Sequence, residues 1–195
     1  RKIEEKIAML SKELEALVAQ RQTQRSRRQK NDMPVVSLVG YTNAGKSTLM
    51  NALIDHFHPA EAKRVFEKDM LFATLETSVR NIKLPDNKTF LLTDTVGFID
   101  KLPHHLVKAF RSTLEEAIEA DLLIHVVDCA DPRHEQLMEV TEQTLQDIGA
   151  VDIPVIYAFN KADLTEMTIP YVEQNKVYLS AKQGCGLDEL VALIS

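Results

Sequence analysis

Residues 37–53 read SLVGYTNAGKSTLMNAL: an apolar run that closes on a glycine, a short polar loop, and a Lys-Ser-Thr triplet opening an amphipathic segment. Within it Gly40 to Ser47, GYTNAGKS, fits G-x-x-x-x-G-K-[ST] between a predicted strand and a predicted helix. Gly40 and Gly45 let the backbone turn tightly, so that the N–H groups along Tyr41, Thr42, Asn43, Ala44 and on to Thr48 can face phosphate oxygens. The helix that follows adds the positive end of its dipole. Lys46 is placed to reach β- and γ-phosphates, and Ser47 to offer its hydroxyl to Mg²⁺.

Outward from this loop, short apolar runs alternate with helical periods. Strands are predicted at 35–39, 79–84, 88–93, 122–127, 154–159 and 176–179, and helices at about 46–56, 103–119, 132–148 and 187–194. Pro85, Asp86 and Asn87 supply turn chemistry for a hairpin between the second and third strands. The fold expected is α/β: a mainly parallel six-stranded sheet with helices on both faces, which binds its ligand at the carboxyl ends of the strands.

Two regions are expected, 1–33 and 34–195. In the first, Ile3, Ile7, Leu10, Leu14 and Leu17 form the seam of a helix that packs against another helix. Arg21, Arg25, Arg27, Arg28 and Lys30 follow without an acidic residue, a basic segment that reads as a solvated face or as a phosphate-steering one. The whole chain of 195 residues carries a net charge of -6 and is 45% hydrophobic and 27% charged, ordinary for a soluble globular protein. No apolar run approaches the ~20 residues of a membrane span. Cys129 and Cys185 stand far apart in no metal-binding spacing, which fits unpaired thiols in a reducing compartment. His56 and His58 lack partners in register for a metal, and His104 and His105 read as surface residues.

Three more motifs follow predicted strands. In LLTDTVGF, residues 91–98, a strand delivers Asp94 for Mg²⁺, and Gly97 lets a backbone N–H approach a γ-phosphate. In FNKAD, residues 159–163, Asn160, Lys161 and Asp163 match N-K-x-D. An aspartate there accepts two hydrogen bonds from the N1–H and N2–H₂ edge of guanine, and adenine would leave it unpaired. Asn160 can tie the loops together, and the Lys161 stem can lie along the base. In LSAK, residues 179–182, the Ala181 N–H can donate to guanine O6, flanked by Ser180 and Lys182; capping is the plainer role for Ser180.

Four such elements in this order resemble the GTPase G domain. The stretches VGYTNAGKSTLMNAL, LFATLETS, LLTDTVGFI and LPHHLVKAFRSTLEEA narrow the resemblance to the HflX family of ribosome-associated GTPases, from about residue 10 to the end. The resemblance implies a cytoplasmic GTPase, with Mg²⁺ as cofactor and GTP or GDP as ligand. It implies binding to the rRNA and proteins of the large ribosomal subunit, and the splitting or rescue of ribosomes. It also implies an N-terminal domain, absent here, that packs on the helix of residues 1–20. By the same resemblance Thr74, rather than Thr77, closes on Mg²⁺ and the γ-phosphate. Lys46, Thr74, Gly97 and Asn43 are then the catalytic set, and Ser47, Thr74 and Asp94 the metal set.

Phe98 occupies the position where Ras-like enzymes place a water-orienting glutamine, so intrinsic hydrolysis should be slow. In relatives with G-x-x-N-x-G-K-S the asparagine helps hold K⁺ beside the β- and γ-phosphates, a role open to Asn43 here. The plainer reading of Asn43 is a turn residue tolerating an unusual backbone angle. Two other functions compete: a GTP-dependent binding module with negligible hydrolysis, and a related GTPase of ribosome assembly or tRNA modification. An ATP-using P-loop enzyme is disfavoured by N-K-x-D.

Overall fold

The computed structural model describes residues 33–57, 78–95, 97–98, 114 and 117–195. The chain divides into two units, Arg1–Met33 and Pro34–Ser195. The heptad seam, the basic segment, His58, Thr74, Thr77, His104 and His105 lie outside the described residues, as does most of the helix expected at 103–119.

The second unit is built on β1 (Val35–Val39), α1 (Lys46–Phe57), β2 (Ser78–Lys83), β3 (Thr89–Asp94), β4 (Leu122–Asp128), α2 (His134–Asp147), β5 (Val155–Asn160), β6 (Tyr171–Glu173), β7 (Lys176–Tyr178) and α3 (Leu187–Ile194). The sheet runs β2-β3-β1-β4-β5-β7-β6. Strands β3, β1, β4, β5 and β7 are mutually parallel. Both edges are closed by antiparallel partners, β2 and β6.

Alternation along the central strands explains why the helices cover both faces. On β1 and β4, Val36, Leu38, Ile124 and Val126 enter one cluster, where Leu49, Met50 and Leu53 of α1 and Leu187 and Leu190 of α3 meet them. Val39 and Leu123 point the other way, toward Phe98, Leu114, Ala117 and Leu145 of α2. Five successive residues of β4 are buried, so the strand reads as a continuous apolar run interrupted only by His125.

All six expected strands form, with ends displaced by a residue or so. The expected turn also forms: Leu84 N–H donates to Lys88 O at 2.8 Å, and Asn87 takes the left-handed conformation with φ 64°. The strand count needs correction: among the described residues there are seven. The added strand, β6, is three residues long and wholly exposed, so it shows no burial alternation in the sequence. It exists because a two-residue turn, Gln174–Asn175, folds it back on β7 and sets Glu173 opposite Lys176. Helix α2 starts two residues later than expected. Asp131 folds the chain first, accepting the Arg133 N–H at 2.8 Å on its carboxylate and the His134 N–H at 3.0 Å on its carbonyl.

Candidate nucleotide site

The parallel strands bring the four motifs to the carboxyl end of the sheet. β1 runs into Gly40, β3 ends on Asp94, β5 ends on Asn160, and β7 leads to Ser180. The phosphate loop is laced to the segment after β3: Phe98 N–H donates to Gly40 O at 3.0 Å, and Thr42 N–H to Phe98 O at 2.9 Å. Gly97 is needed at this crossing, because a Cβ there would come within 2.8 Å of Thr42 Cα and 3.1 Å of Lys46 Nζ. Gly45 has φ 98°, and a side chain on it would collide with the Asn160 amide.

Lys46 is buried, and its Nζ donates to Gly40 O at 3.2 Å and Tyr41 O at 3.1 Å. Burial pulls its pKa down from 10.5 to about 8, against the opposing pull of the Asp94 carboxylate. Ser47 Oγ donates to Asp94 Oδ2 at 2.5 Å. Asp94 and Thr95 are fully buried, and Thr95 Oγ1 donates to Leu38 O at 2.7 Å, fixing the strand end from which Asp94 projects. A hydroxyl and a buried carboxylate meeting this closely form a pair of hard oxygen donors, the donor type that Mg²⁺ takes.

Phe98 does more than fill a glutamine's place. Its ring is 4% exposed and packs with Val39 and Leu123, so the side chain belongs to the core while its backbone holds the phosphate loop. Asn43 has φ 63°, the backbone angle anticipated for a turn asparagine.

At the other end, Asn160 is a buried bridge. Its Nδ2 donates to Ala44 O at 3.1 Å, and its Oδ1 accepts the Ala181 N–H at 3.0 Å. That N–H, expected to serve guanine O6, is thus engaged by Asn160 and would have to be shared with or released to the base. Lys161, itself left-handed with φ 61°, sends its Nζ to Asn43 O at 2.9 Å and to Asp128 Oδ2 at 2.6 Å. Asp163 is half-buried and accepts from Gln183 Nε2 at 3.5 Å. Ser180 Oγ accepts the Gln183 N–H at 3.3 Å, the capping role anticipated for it. Lys182 is exposed beside it and Thr48 is half-buried on α1.

Sequence reasoning missed Asp128 and His125. Asp128 is a strand-end acid, the same signal that found Asp94, but lacked a following glycine. His125 lies beneath the phosphate loop, 2% exposed, on a cavity of about 160 Å³ that Tyr41, Asn43 and Met138 also line. Burial and the Lys46 charge lower its pKa to about 4, so the imidazole is neutral at pH 7. Among the described residues its Nδ1 has no hydrogen-bond partner. His56, expected to lack partners in register, meets Asp188 of α3 at 2.9 Å; among the described residues no group of three or more metal-binding side chains occurs.

Residues 35–161 match a family model described as 50S ribosome-binding GTPase. The whole chain aligns at 48% identity with GTPase HflX of Caldanaerobacter subterraneus subsp. tengcongensis, and 97% of it at 42% identity with GTPase HflX of Escherichia coli (strain K12). The resemblance to the HflX family is therefore borne out along the chain, which spans 44% of the length of each of these relatives. A crystal structure of Era in complex with MgGDPNP and nucleotides 1506–1542 of 16S ribosomal RNA superposes with a TM-score of 0.61 at 26% identity, covering 83% of this chain and 56% of that one.

Proposed function

The chain belongs to the 50S ribosome-binding GTPase family, and from that premise we propose that its G domain binds GTP with Mg²⁺, hydrolyses it slowly to GDP and phosphate, and acts as a switch on the large ribosomal subunit in the cytoplasm. The observation that carries the reading is the Asn160 bridge: one buried amide joins the phosphate loop at Ala44 to the last motif at Ala181. A phosphate-binding end and a guanine-reading end so joined suit one guanine nucleotide. Among the described residues no helix is long and apolar enough to cross a membrane.

In this reading the backbone from Gly40 to Thr48 cradles the phosphates, and Lys46 exchanges its loop carbonyls for β- and γ-oxygens. Ser47, Asp94 and Thr74 would hold Mg²⁺, which supplies neutralisation of phosphate charge. The Gly97 N–H meets the γ-phosphate. Asp163 selects guanine, with Asn160, Lys161, Ser180, Ala181 and Lys182 around the base. Because the Phe98 ring lies in the core, residue 98 offers no side chain to an attacking water. Stimulation must then come from a partner or a cation. Asn43 is the proposed K⁺ ligand, with its backbone already in the left-handed angle.

The test is phosphate release in KCl and in NaCl, with and without large ribosomal subunits. Stimulation by subunits is expected, with faster turnover in K⁺. Asn43→Gly keeps the backbone angle and removes the side chain, so it should abolish the K⁺ preference. Identical rates in the two salts, or an unchanged ratio in that variant, would overturn the cation role. The buried Phe98 ring favours one second reading, a GTP-dependent binding module with negligible hydrolysis. No stimulation by subunits, together with GTP-dependent binding to them, would select it.

A further inference from the structure

Asp128 lies outside all four motifs, 33 residues before Lys161 in sequence, yet it touches the motif lysine directly. The register of β4 on β5 sets Asp128 beside Asn160, and the Cys129 N–H donates to Asn160 O at 3.1 Å. The carboxylate is fixed by its own turn: Oδ1 accepts the Ala130 N–H at 3.1 Å, while Oδ2 receives the Lys161 ammonium at 2.6 Å. That ammonium also donates to Asn43 O at 2.9 Å, and the neighbouring Asn160 amide donates to Ala44 O at 3.1 Å. Two consecutive residues of the base loop thus grip two consecutive carbonyls of the phosphate loop. Asn160 is buried and held at both ends of its amide. Lys161 depends on a long, rotatable stem, and the side chains of the Lys161–Asp128 pair are 29% and 23% exposed.

We propose that Asp128 is a positioning residue: by holding the Lys161 ammonium on the Asn43 carbonyl, it sets how long a guanine nucleotide stays bound. The proposal rests on the guanine-nucleotide reading above. Lys161 without Asp128 keeps one carbonyl partner and can swing into solvent. The Asn43 backbone then loses its tether in a left-handed angle that a non-glycine residue adopts at a cost. The loop opens more often and nucleotide escapes. The Ser47–Asp94 pair and the Gly97 crossing are independent of the clamp, so in Na⁺, where the cation role of Asn43 does not operate, the rate of the chemical step should be spared.

The experiment loads the 195-residue chain with a fluorescent GDP analogue and chases it with excess GDP. Asp128→Asn is nearly isosteric and retains an oxygen for Ala130. It should speed dissociation about tenfold, as expected when one partner of a shielded charge pair is lost. Single-turnover GTP hydrolysis in NaCl should stay within about twofold, and in a Lys161→Met background the same substitution should add less than about twofold to the off-rate. An off-rate within twofold of wild type, or a tenfold effect that persists without the lysine, overturns the proposal. If Asp128→Asn melts below the assay temperature, Asp128→Ser, which also keeps an oxygen, is read by the same criteria. A wild-type chain that takes up no labelled GDP overturns the nucleotide reading itself, an outcome distinct from normal uptake with an unchanged Asp128→Asn off-rate.

Discussion

At the phosphate end of the site, Lys46 donates to the Gly40 and Tyr41 carbonyls and Ser47 donates to Asp94. At the base end, Asn160 and Lys161 donate to the Ala44 and Asn43 carbonyls. All are bonds within hydrogen-bonding distance, but they have different futures. A phosphate or a metal must displace the first set, because those donors are the ones the ligand needs. The second set uses carbonyls that a nucleotide has no reason to touch, so it can persist through binding and release. The phosphate-end bonds are placeholders; the bonds from Asn160 and Lys161 to the loop carbonyls are scaffold.

Lys46→Met breaks the comparison most severely. The ammonium is buried on two loop carbonyls, and its pKa of about 8 records that the cost of burying the charge outweighs the pull of Asp94. Methionine fills the same space without that charge. GDP affinity should fall by about three orders of magnitude, measured by titration calorimetry, because charge-assisted phosphate contacts vanish. The nucleotide-free protein should become more stable by about 1–3 kcal/mol in urea unfolding. A nucleotide-free protein that loses stability would mean that the lysine is structural and not a placeholder.

Asp163→Asn attacks the opposite end with the next largest effect. The carboxylate becomes an amide whose NH₂ opposes the guanine N2–H₂, so GDP affinity should drop by about two orders of magnitude. Xanthosine diphosphate, with an oxygen at position 2, should regain much of that loss. Because Asn160 and Lys161 keep their carbonyl partners, free-state stability should hardly move. A fall in stability equal to the loss of affinity would erase the distinction between scaffold and reader.

A third effect arises beneath the phosphate loop. Burial lowers the pKa of His125 from 6.5 to about 4, so between those values the unfolded chain binds more protons than the folded one. Stability is retained above pH 6.5 and lost as pH falls toward 4. At pH 5 the loss from this group is about 2 kcal/mol. His125→Phe should remove that part of the acid limb in urea unfolding at pH 7 and pH 5. An unchanged pH dependence would place the titration elsewhere.

The sequence revealed most where physics is local. A glycine-bounded loop after a strand, an acid at a strand end and a turn of proline, aspartate and asparagine each need only neighbours along the chain to be recognised. Strand β6 was hidden because exposure removes alternation, and Asp128 because its meaning depends on Lys161 from another strand. The burial of Phe98 was equally out of reach. A ring can face a ligand or a core, and only the packing of Val39 and Leu123 against it decides between them.

The smallest effect tests whether the two ends are truly separate from the body that carries them. Tyr157 lies on β5, the strand that ends in the base loop, and its ring sits 5.5 Å from that of His125. Its hydroxyl donates to Glu142 of α2 at 3.0 Å, and burial first, then this carboxylate, raises its pKa to about 12. Tyr157→Phe keeps the ring and its packing and removes one partly exposed hydrogen bond. Unfolding free energy should fall by about 0.5–1 kcal/mol. The GDP off-rate should stay within about twofold, because the Asn160 and Lys161 bonds are made at and just past the last residue of the strand and do not use the hydroxyl. If retention changed in step with this small loss of stability, the base end would be responding to the strand beneath it. The contrast between placeholder and scaffold would then describe only the phosphate half of the site.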